Sequence, residues 1–387
     1  MPITAKTPEL KKAKIATRLI FLLAGAGLAA WAPLVPFAKI ALGVDEATLG
    51  MLLLCLGLGS ITAMPLAGAL VPKLGARVVI AVSACVIIVA LPLLTLAQSV
   101  PQLAIGLALF GAGVGSVDVA MNIHAIEVEK RSGVSLLSGF HGLFTLGSIF
   151  GAGGMSLMLI VGLNSTIATV VLSISMLCLL SMSFPHLMAE TAEPTKRKDT
   201  RFALPGARLI VISLLCFLAF LAEGVVLDWG ALLLIDQHQL HPGYGGLGYA
   251  AFAVAMTAGR LTGDRVVTKF GGGVTALVGG LLAAAGYVWV VVSPDPTTAL
   301  IGFATIGLGA SNIVPVFFSA AGRMDGSGSG MALSMVTSFG YAGILVGPAV
   351  IGFMAEWLGI GTAFLAMAII MLAISAIGPA ASKSVAR

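Results

Sequence analysis

Charged residues make up only 10% of this 387-residue chain, against about 25% in ordinary soluble domains. A water-exposed surface of this size cannot be dressed so thinly. That excludes a soluble globular protein and, with it, a basic patch on a soluble nucleic-acid-binding domain. Cysteine is nearly missing as well. The four present, Cys55, Cys85, Cys178 and Cys216, lie inside apolar runs with no paired spacing, so neither a disulfide framework nor a thiolate metal site is expected. The chain has no HExxH, GxSxG, phosphate loop or CxxC, and His238 and His241 are too sparse to hold a metal. No enzymatic chemistry, cofactor or metal is expected.

What is abundant is apolar sequence. Apolar residues make up 58% of the chain, and its mean hydropathy is +1.07. Windows long enough to cross about 30 Å of hydrocarbon predict spans over 19–40, 48–71, 78–97, 102–126, 136–161, 165–186, 209–235, 247–267, 274–292, 298–320, 332–356 and 361–380. Twelve spans describe an all-α membrane protein with both termini on one side. Twenty of the 21 Lys and Arg residues, all but Lys39, gather on that side. Short cytoplasmic loops collect such residues, and the bias sets helix orientation. A bacterial inner-membrane location with cytoplasmic termini is expected, the lipid bilayer being the surrounding partner.

The chain repeats itself. Gly106, Gly111, Gly113, Gly147 and Gly151 recur 196 residues later as Gly302, Gly307, Gly309, Gly343 and Gly347. The turn Val71-Pro72-Lys73-Leu74-Gly75 returns at the same offset as Val267-Thr268-Lys269-Phe270-Gly271. A period this long marks a structural duplication. The long polar stretch 189–208, which contains Lys196-Arg197-Lys198, then reads as a cytoplasmic linker between six-helix halves at 1–188 and 209–387.

Three of the 16 acids fall inside predicted spans: Asp118, Glu223 and Asp228. An acid in hydrocarbon costs at least about 2.5 kcal/mol, so it faces a cavity with a function or is retained to fix helix packing. Asp118 belongs to Gly111-x3-Gly115-x2-Asp118-x3-Asn122, whose spacings put all four residues on one helical face. The glycines alone would indicate close helix approach; the acid and amide on the same line point to chemistry. The fifth span carries a polar stripe, Ser138, His141, Thr145 and Ser148, and the eleventh span another, Ser334, Thr337, Ser338 and Tyr341. Both read as cavity walls, with interhelical hydrogen bonding the plainer alternative. Counting 1.5 Å per residue puts His141 and Asp118 at similar depth on consecutive helices, a proposed proton-loading pair; the rival is a static hydrogen bond.

In the seventh span Glu223 precedes Asp228 by five residues, about 140° around the helix, so the two cannot face one cavity squarely. Glu223 is assigned to proton coupling and Asp228 to a helix contact or gate. Trp31 and Trp229 are repeat-related, 198 residues apart, and suit either stacking on a solute or packing. Asn312, followed by Pro315, should break the tenth span and free backbone carbonyls. Arg260 and Asp264, beside Arg265 at the inner end of the eighth span, read with Lys73 and Arg77 as gating charges on the cytoplasmic side.

The whole chain resembles the Major Facilitator Superfamily, built from two parallel repeats with the solute site between the halves. Gly68-x4-Lys73-x-Gly75-x-Arg77 is similar to that family's loop 2–3 signature, with Pro72 where its usual Asp stands. Leu107 occupies the place of an Arg found in its proton-driven drug exporters, and the antiporter Gly-Pro signature is only partly present in Gly147-x3-Gly151-Ala152. Asp118-Val-Ala-Met-Asn122, His141-Gly-Leu-Phe-Thr-Leu-Gly147 and Glu223-Gly-x3-Asp228-Trp229 resemble the YbjJ-like group. More distantly, Asp118 to Asn122 and Asn312 to Pro315 are similar to the fucose–proton symporter family. That resemblance implies Asp118 as protonation site and Asn122 as a sugar-binding or helix contact. With no acid in the first span, Glu223 takes the second coupling role.

The resulting expectation is a monomeric, twelve-helix secondary transporter working by rocker-switch alternating access. A polar cavity would be lined by spans 1, 4, 5, 7, 10 and 11. Coupling is assigned to Asp118, His141 and Glu223, and contact with a small polar, sugar-like solute to Asn122, Trp31, Thr145, Asn312, Tyr341 and Trp229. Proton symport is favoured. The alternatives are proton-coupled export of a small organic molecule and a membrane sensor that moves nothing.

Overall fold

The computed structural model describes residues 8–133, 136–188, 206–322 and 329–382. The described residues are helical almost throughout. The helices are α1 (Pro8–Ala29), α2 (Val35–Leu42), α3 (Glu46–Leu74), α4 (Ala76–Leu94), α5 (Val100–Ser132), α6 (Leu137–Ile160), α7 (Ser165–Ser183), α8 (Ala207–His238), α9 (Gly246–Val292), α10 (Pro296–Ala310), α11 (Ile313–Gly322), α12 (Ser329–Leu358) and α13 (Ile360–Ser382). In a medium without water every backbone N–H and C=O must be satisfied within its own segment, which is why apolar sequence of this length becomes helix.

Among the described residues, eleven stretches are long and apolar enough to cross a membrane. The twelfth crossing is the first arm of α9, which leads straight into the second: Gly271, at φ 80° and ψ 157°, divides the two arms. Its repeat partner Gly75 sits at φ 85° just before α4. Only glycine enters that region without cost, so both halves reverse direction at the same repeated turn. Several helices overrun their predicted spans: α5 runs to Ser132 where the apolar window stops at 126, because nothing breaks it before Gly133 at φ 65°. Pro33 falls in a 3-10 turn between α1 and α2 and Pro36 in the first turn of α2, where a missing N–H does little harm.

The chain forms two compact units, one of Met1–Val44, Cys55–Lys196 and Pro242–Gly246, the other of Asp45–Leu54, Arg197–His241 and Leu247–Arg387. The repeated glycines pack each unit in the same way. In the first, a Cβ on Gly111 would run into the Leu56 carbonyl, one on Gly113 into Ser83, and one on Gly147 into the Leu22 carbonyl. In the second, Gly307 lies against the Phe252 carbonyl, Gly309 against the Gly279 carbonyl, and Gly343 against the Phe217 carbonyl. Small residues let backbones approach closely, the main source of helix association where lipid is as apolar as leucine. Large side chains fill the rest: Phe21, Phe110 and Phe140 in the first unit, Trp229, Tyr287, Phe303 and Phe364 in the second. Tyr287 also donates to the Ala222 carbonyl at 2.5 Å, and Ser173 and Ser375 bond the Ile88 and Leu277 carbonyls across helices.

Candidate functional site: buried carboxylates in each unit

In the first unit α5 presents two kinds of residue on its polar line. Gly111 and Gly115 press against Leu56 and Ser60 of α3, so they serve packing. Asp118 and Asn122 are half-buried, and the Asn122 amide donates to the Asp118 backbone carbonyl at 2.9 Å and to its carboxylate at 3.2 Å. One helical turn thus brings an amide donor onto an acid.

α6 packs chiefly along α1 and more lightly along α5. The cause is the glycine seam: Gly147 and Gly151 meet Leu22 and Ala26 of α1, and Gly25 of α1 meets Phe144. A short connection between helices does not fix them as neighbours when a better small-residue face is available elsewhere. His141 is exposed, with its ring edge-on to Phe21 at 5.3 Å. The hydroxyls of Thr145 and Ser148 donate to their own helix, to the His141 and Phe144 carbonyls at 3.1 and 3.2 Å. The side chains of Ser138, Ser334 and Asp264 lie outside the described residues.

In the second unit Arg260 stands beside an intramembrane acid, Glu223. Its place in the chain suggests a cytoplasmic gate charge. Its guanidinium lies 3.6 Å from the Glu223 carboxylate, and its Nε donates to the Ser311 carbonyl at 3.4 Å. Residue counts agree: Glu223 is about 22 Å from the His238 end of α8 and Arg260 about 21 Å from the Gly246 end of α9. The apolar window around residue 260 hides this, because an Arg near a span's end reads as an interfacial charge.

Why the Ser311 carbonyl is available follows from Pro315. In an unbroken helix residue 315 would donate its N–H to carbonyl 311, and proline has none. The helix accordingly breaks at Ser311 and Asn312, between α10 and α11, as the sequence leads one to expect. Asn312 is occupied in bracing the break: its amide donates to the Gly259 carbonyl and to the Ser311 hydroxyl, each at 3.0 Å. Gly259 and Gly263 admit this contact, since a Cβ on either would collide with Ser311 or Asn312. The broken helix therefore holds the arginine, and the arginine faces the acid.

Glu223 is not fully satisfied. Its side chain is 15% exposed, yet its Oε1 is buried and accepts no hydrogen bond from any described residue. Asp228, five residues on, is half-buried. Tyr341 stacks on Phe220, one turn from Glu223, with ring centroids 6.5 Å apart. Trp31 and Trp229 are both buried, and each indole N–H lacks an acceptor among the described residues. Trp31 borders a cavity of about 130 Å³ shared with Phe37, Leu94 and Thr95.

Arg77 places its guanidinium 4.0 Å over the Phe184 ring, tying α4 to the end of α7, while Lys73 is exposed. Two polar centres escape the sequence reading altogether. His124 is buried, takes the Met188 backbone N–H on Nε2 at 3.0 Å, and lies 3.3 Å from the Thr17 hydroxyl through Nδ1. Glu129 takes the backbone N–H groups of Leu136 and Leu137 at 2.6 and 2.9 Å, which caps α6 in the manner of an acid at a helix start. No local pattern announces either, since the partners belong to other turns of chain. Among the described residues no group of His, Cys, Asp and Glu is arranged to hold a metal.

A helical fold with this many stretches long and apolar enough to cross a membrane defines a polytopic membrane protein. Residues 19–326 match the family description of the Major Facilitator Superfamily, and the chain belongs to that family. It is 45% identical over 370 residues to an uncharacterized MFS-type transporter of Yersinia pestis, covering 96% of both chains. It is 34% identical to the membrane protein MosC of Rhizobium meliloti, covering 89% of this chain and 84% of that one. Among solved structures, a D-xylose-proton symporter superposes with TM-score 0.76 at 16% identity, covering 95% of this chain and 96% of that one. The nucleoside transporter NupG superposes with TM-score 0.72 at 16% identity, covering 98% and 100%. At such identities the solved structures speak for the fold.

Proposed function

We propose that this chain is a proton-coupled symporter of a small polar solute, working by alternating access in a bacterial inner membrane with both termini in the cytoplasm. The observation that carries the reading is Glu223: an acid at mid-span, loosely opposed by Arg260, with one carboxylate oxygen buried and unpartnered among the described residues. A carboxyl retained only for packing would have its hydrogen-bonding capacity filled, because leaving it open costs free energy for nothing. A carboxyl that alternates between charged and protonated forms beside a cation, which can only donate, cannot be filled in both.

Asp118 with Asn122 supplies the coupling acid of the first half, and Glu223 with Arg260 that of the second. The Asn122 amide can donate to a charged Asp118 or, turned over, accept from a protonated one. Both family likeness and fold likeness to a D-xylose-proton symporter support the transport class, and import by symport extends it. The test is reconstitution into proteoliposomes with a trapped pH dye, wild type beside Glu223→Gln. Solute-triggered acidification of the lumen that disappears in Glu223→Gln is expected. Solute uptake with no proton movement in the wild type would end the symport reading, and alkalinisation would replace it with exchange.

A further inference from the structure

Arg260 has more binding capacity than its neighbours use. Its Nε meets the Ser311 carbonyl and one terminal nitrogen approaches Glu223, leaving three of the five N–H donors of a guanidinium without a partner among the described residues. The contact with Glu223 is 3.6 Å long, beyond a good hydrogen bond, so charge is balanced without the short, forked geometry that arginine and carboxylate prefer. The side chain is 41% exposed, although it stands about 16 Å from the Gly271 turn and about 21 Å from the other end of its helix. An arginine open to hydrocarbon at that depth would extend along the helix to the nearer interface. This one is held inward by a carbonyl that Pro315 leaves free, so its open face is turned to water.

We infer that Arg260 is the binding group for an anionic head, a carboxylate, on the transported solute, and that the solute's carboxylate and the Glu223 carboxylate compete for it. This rests on the proton-symport reading and names its substrate class: a small hydroxylated carboxylic acid. With Glu223 charged, Arg260 is neutralised and a second anion is repelled. With Glu223 protonated, the guanidinium carries an uncompensated charge, which in a site of low dielectric strongly favours an incoming anion. One proton on Glu223 and one carboxylate on Arg260 then cross together, with no net charge moved. The hydroxyls of such a solute find the unpartnered Glu223 Oε1 close by.

Of the described titratable groups near Glu223, the thiol and phenols stay out of this exchange, and Asp228 lies about 140° round α8 from it. On α8 these are Cys216 and, about 7.5 Å further along, Asp228. On α9, beyond Arg260, Tyr287 is bonded to the Ala222 carbonyl, and on α12 Tyr341 lies against Phe220. Thiols and phenols are neutral near pH 7. No titratable side chain is present on α10, α11 or the described part of α13.

The test compares matched solutes of four to six carbons, hydroxycarboxylates against the uncharged sugars and polyols of the same skeleton. Binding to the purified protein is read by calorimetry at pH 5.5 and 7.5, and proton movement in proteoliposomes. The wild type should bind an acid but not its neutral counterpart, roughly tenfold or more tightly at pH 5.5. Glu223→Gln should bind that acid at pH 7.5 about as well as the wild type does at 5.5, with the pH dependence gone and no proton moved. Arg260→Gln should lose the acid, and Arg260→Lys should recover part of the binding, which separates loss of charge from loss of fold. Preference for a neutral sugar with proton uptake intact would overturn the anion site while leaving symport standing. Acid binding that vanishes in Glu223→Gln would show a structural ion pair and overturn the competition. Acid binding in the wild type without proton movement would leave Arg260 as anion site and remove the symport reading. Binding of no acid by the wild type would overturn the proposal.

Discussion

The two halves carry the same helices and the same glycine contacts, but their intramembrane acids are kept in different ways. Asp118 faces an amide from its own helix, Asn122. Glu223 faces a cation from another helix, Arg260, itself positioned by the break at Ser311. An amide can satisfy either protonation state with small cost, whereas a guanidinium favours only the charged one and is left exposed when the acid is protonated. On the proposed reading, the two halves divide proton capture from the exchange of a proton for solute binding.

The comparison breaks most sharply at the acids. Glu223→Gln should abolish proton-driven accumulation of solute while leaving counterflow down a gradient, a loss expected to exceed a hundredfold and measured as solute accumulation ratio under an imposed pH gradient. Asp118→Asn should also uncouple. Asn122→Ala, which leaves Asp118 without its amide, should lower the uptake rate by roughly tenfold, the order of one hydrogen bond to a charged group. A mild Asp118→Asn phenotype beside a severe Glu223→Gln one would confine coupling to the second half.

Packing predictions come next. Gly111→Leu and its repeat partner Gly307→Leu should each destabilise by about 3 kcal/mol, since both glycines abut backbone that cannot yield, and overpacking costs of that size are usual. Thermal melts in one detergent would show whether the halves respond alike. Pro315→Ala gives residue 315 an N–H that competes with Arg260 for the Ser311 carbonyl. A loss of solute affinity of roughly three- to tenfold is expected, with little change in stability. The smallest effect belongs to Asp295 in the connection before α10. The backbone N–H of Thr298 holds its carboxylate below the ordinary range. Because its folded pKa is lowered, the stability it adds is present above the unfolded value and fades as pH falls through the folded one. Asp295→Asn should remove that increment, lowering the melting temperature slightly at about pH 6 and above and leaving it unchanged at low pH, where Asp295 is already protonated.

Much of the fold was legible because span length reports a constraint that hydrocarbon imposes on any chain, and the repeated glycines report contacts that each unit makes in the same way. The break at Asn312 and Pro315 was legible for the same reason: a missing N–H acts locally. The partners were not. Spacing placed Asp118, Asn122, Glu223 and Asp228 on helices but could not say which helices pack together, and the Gly147–Leu22 seam that joins α6 to α1 spans a long chain separation. Arg260 was read by its distance from a loop, while its position depends on the carbonyl of Ser311, fifty-one residues away. His124 and Glu129 escaped for the same reason, their acceptors and donors lying in segments that no local pattern connects.

The central claim is that buried carboxylates couple proton movement to solute movement. Proteoliposomes with a trapped pH dye, given a panel of sugars, sugar acids and small amphiphiles, test it directly, with wild type, Asp118→Asn and Glu223→Gln side by side. Solute-triggered acidification of the lumen in the wild type and its loss in both variants is the predicted result. Solute transport by all three at equal rates with no proton movement would contradict the account and leave a facilitator with acids that serve only to hold helices together.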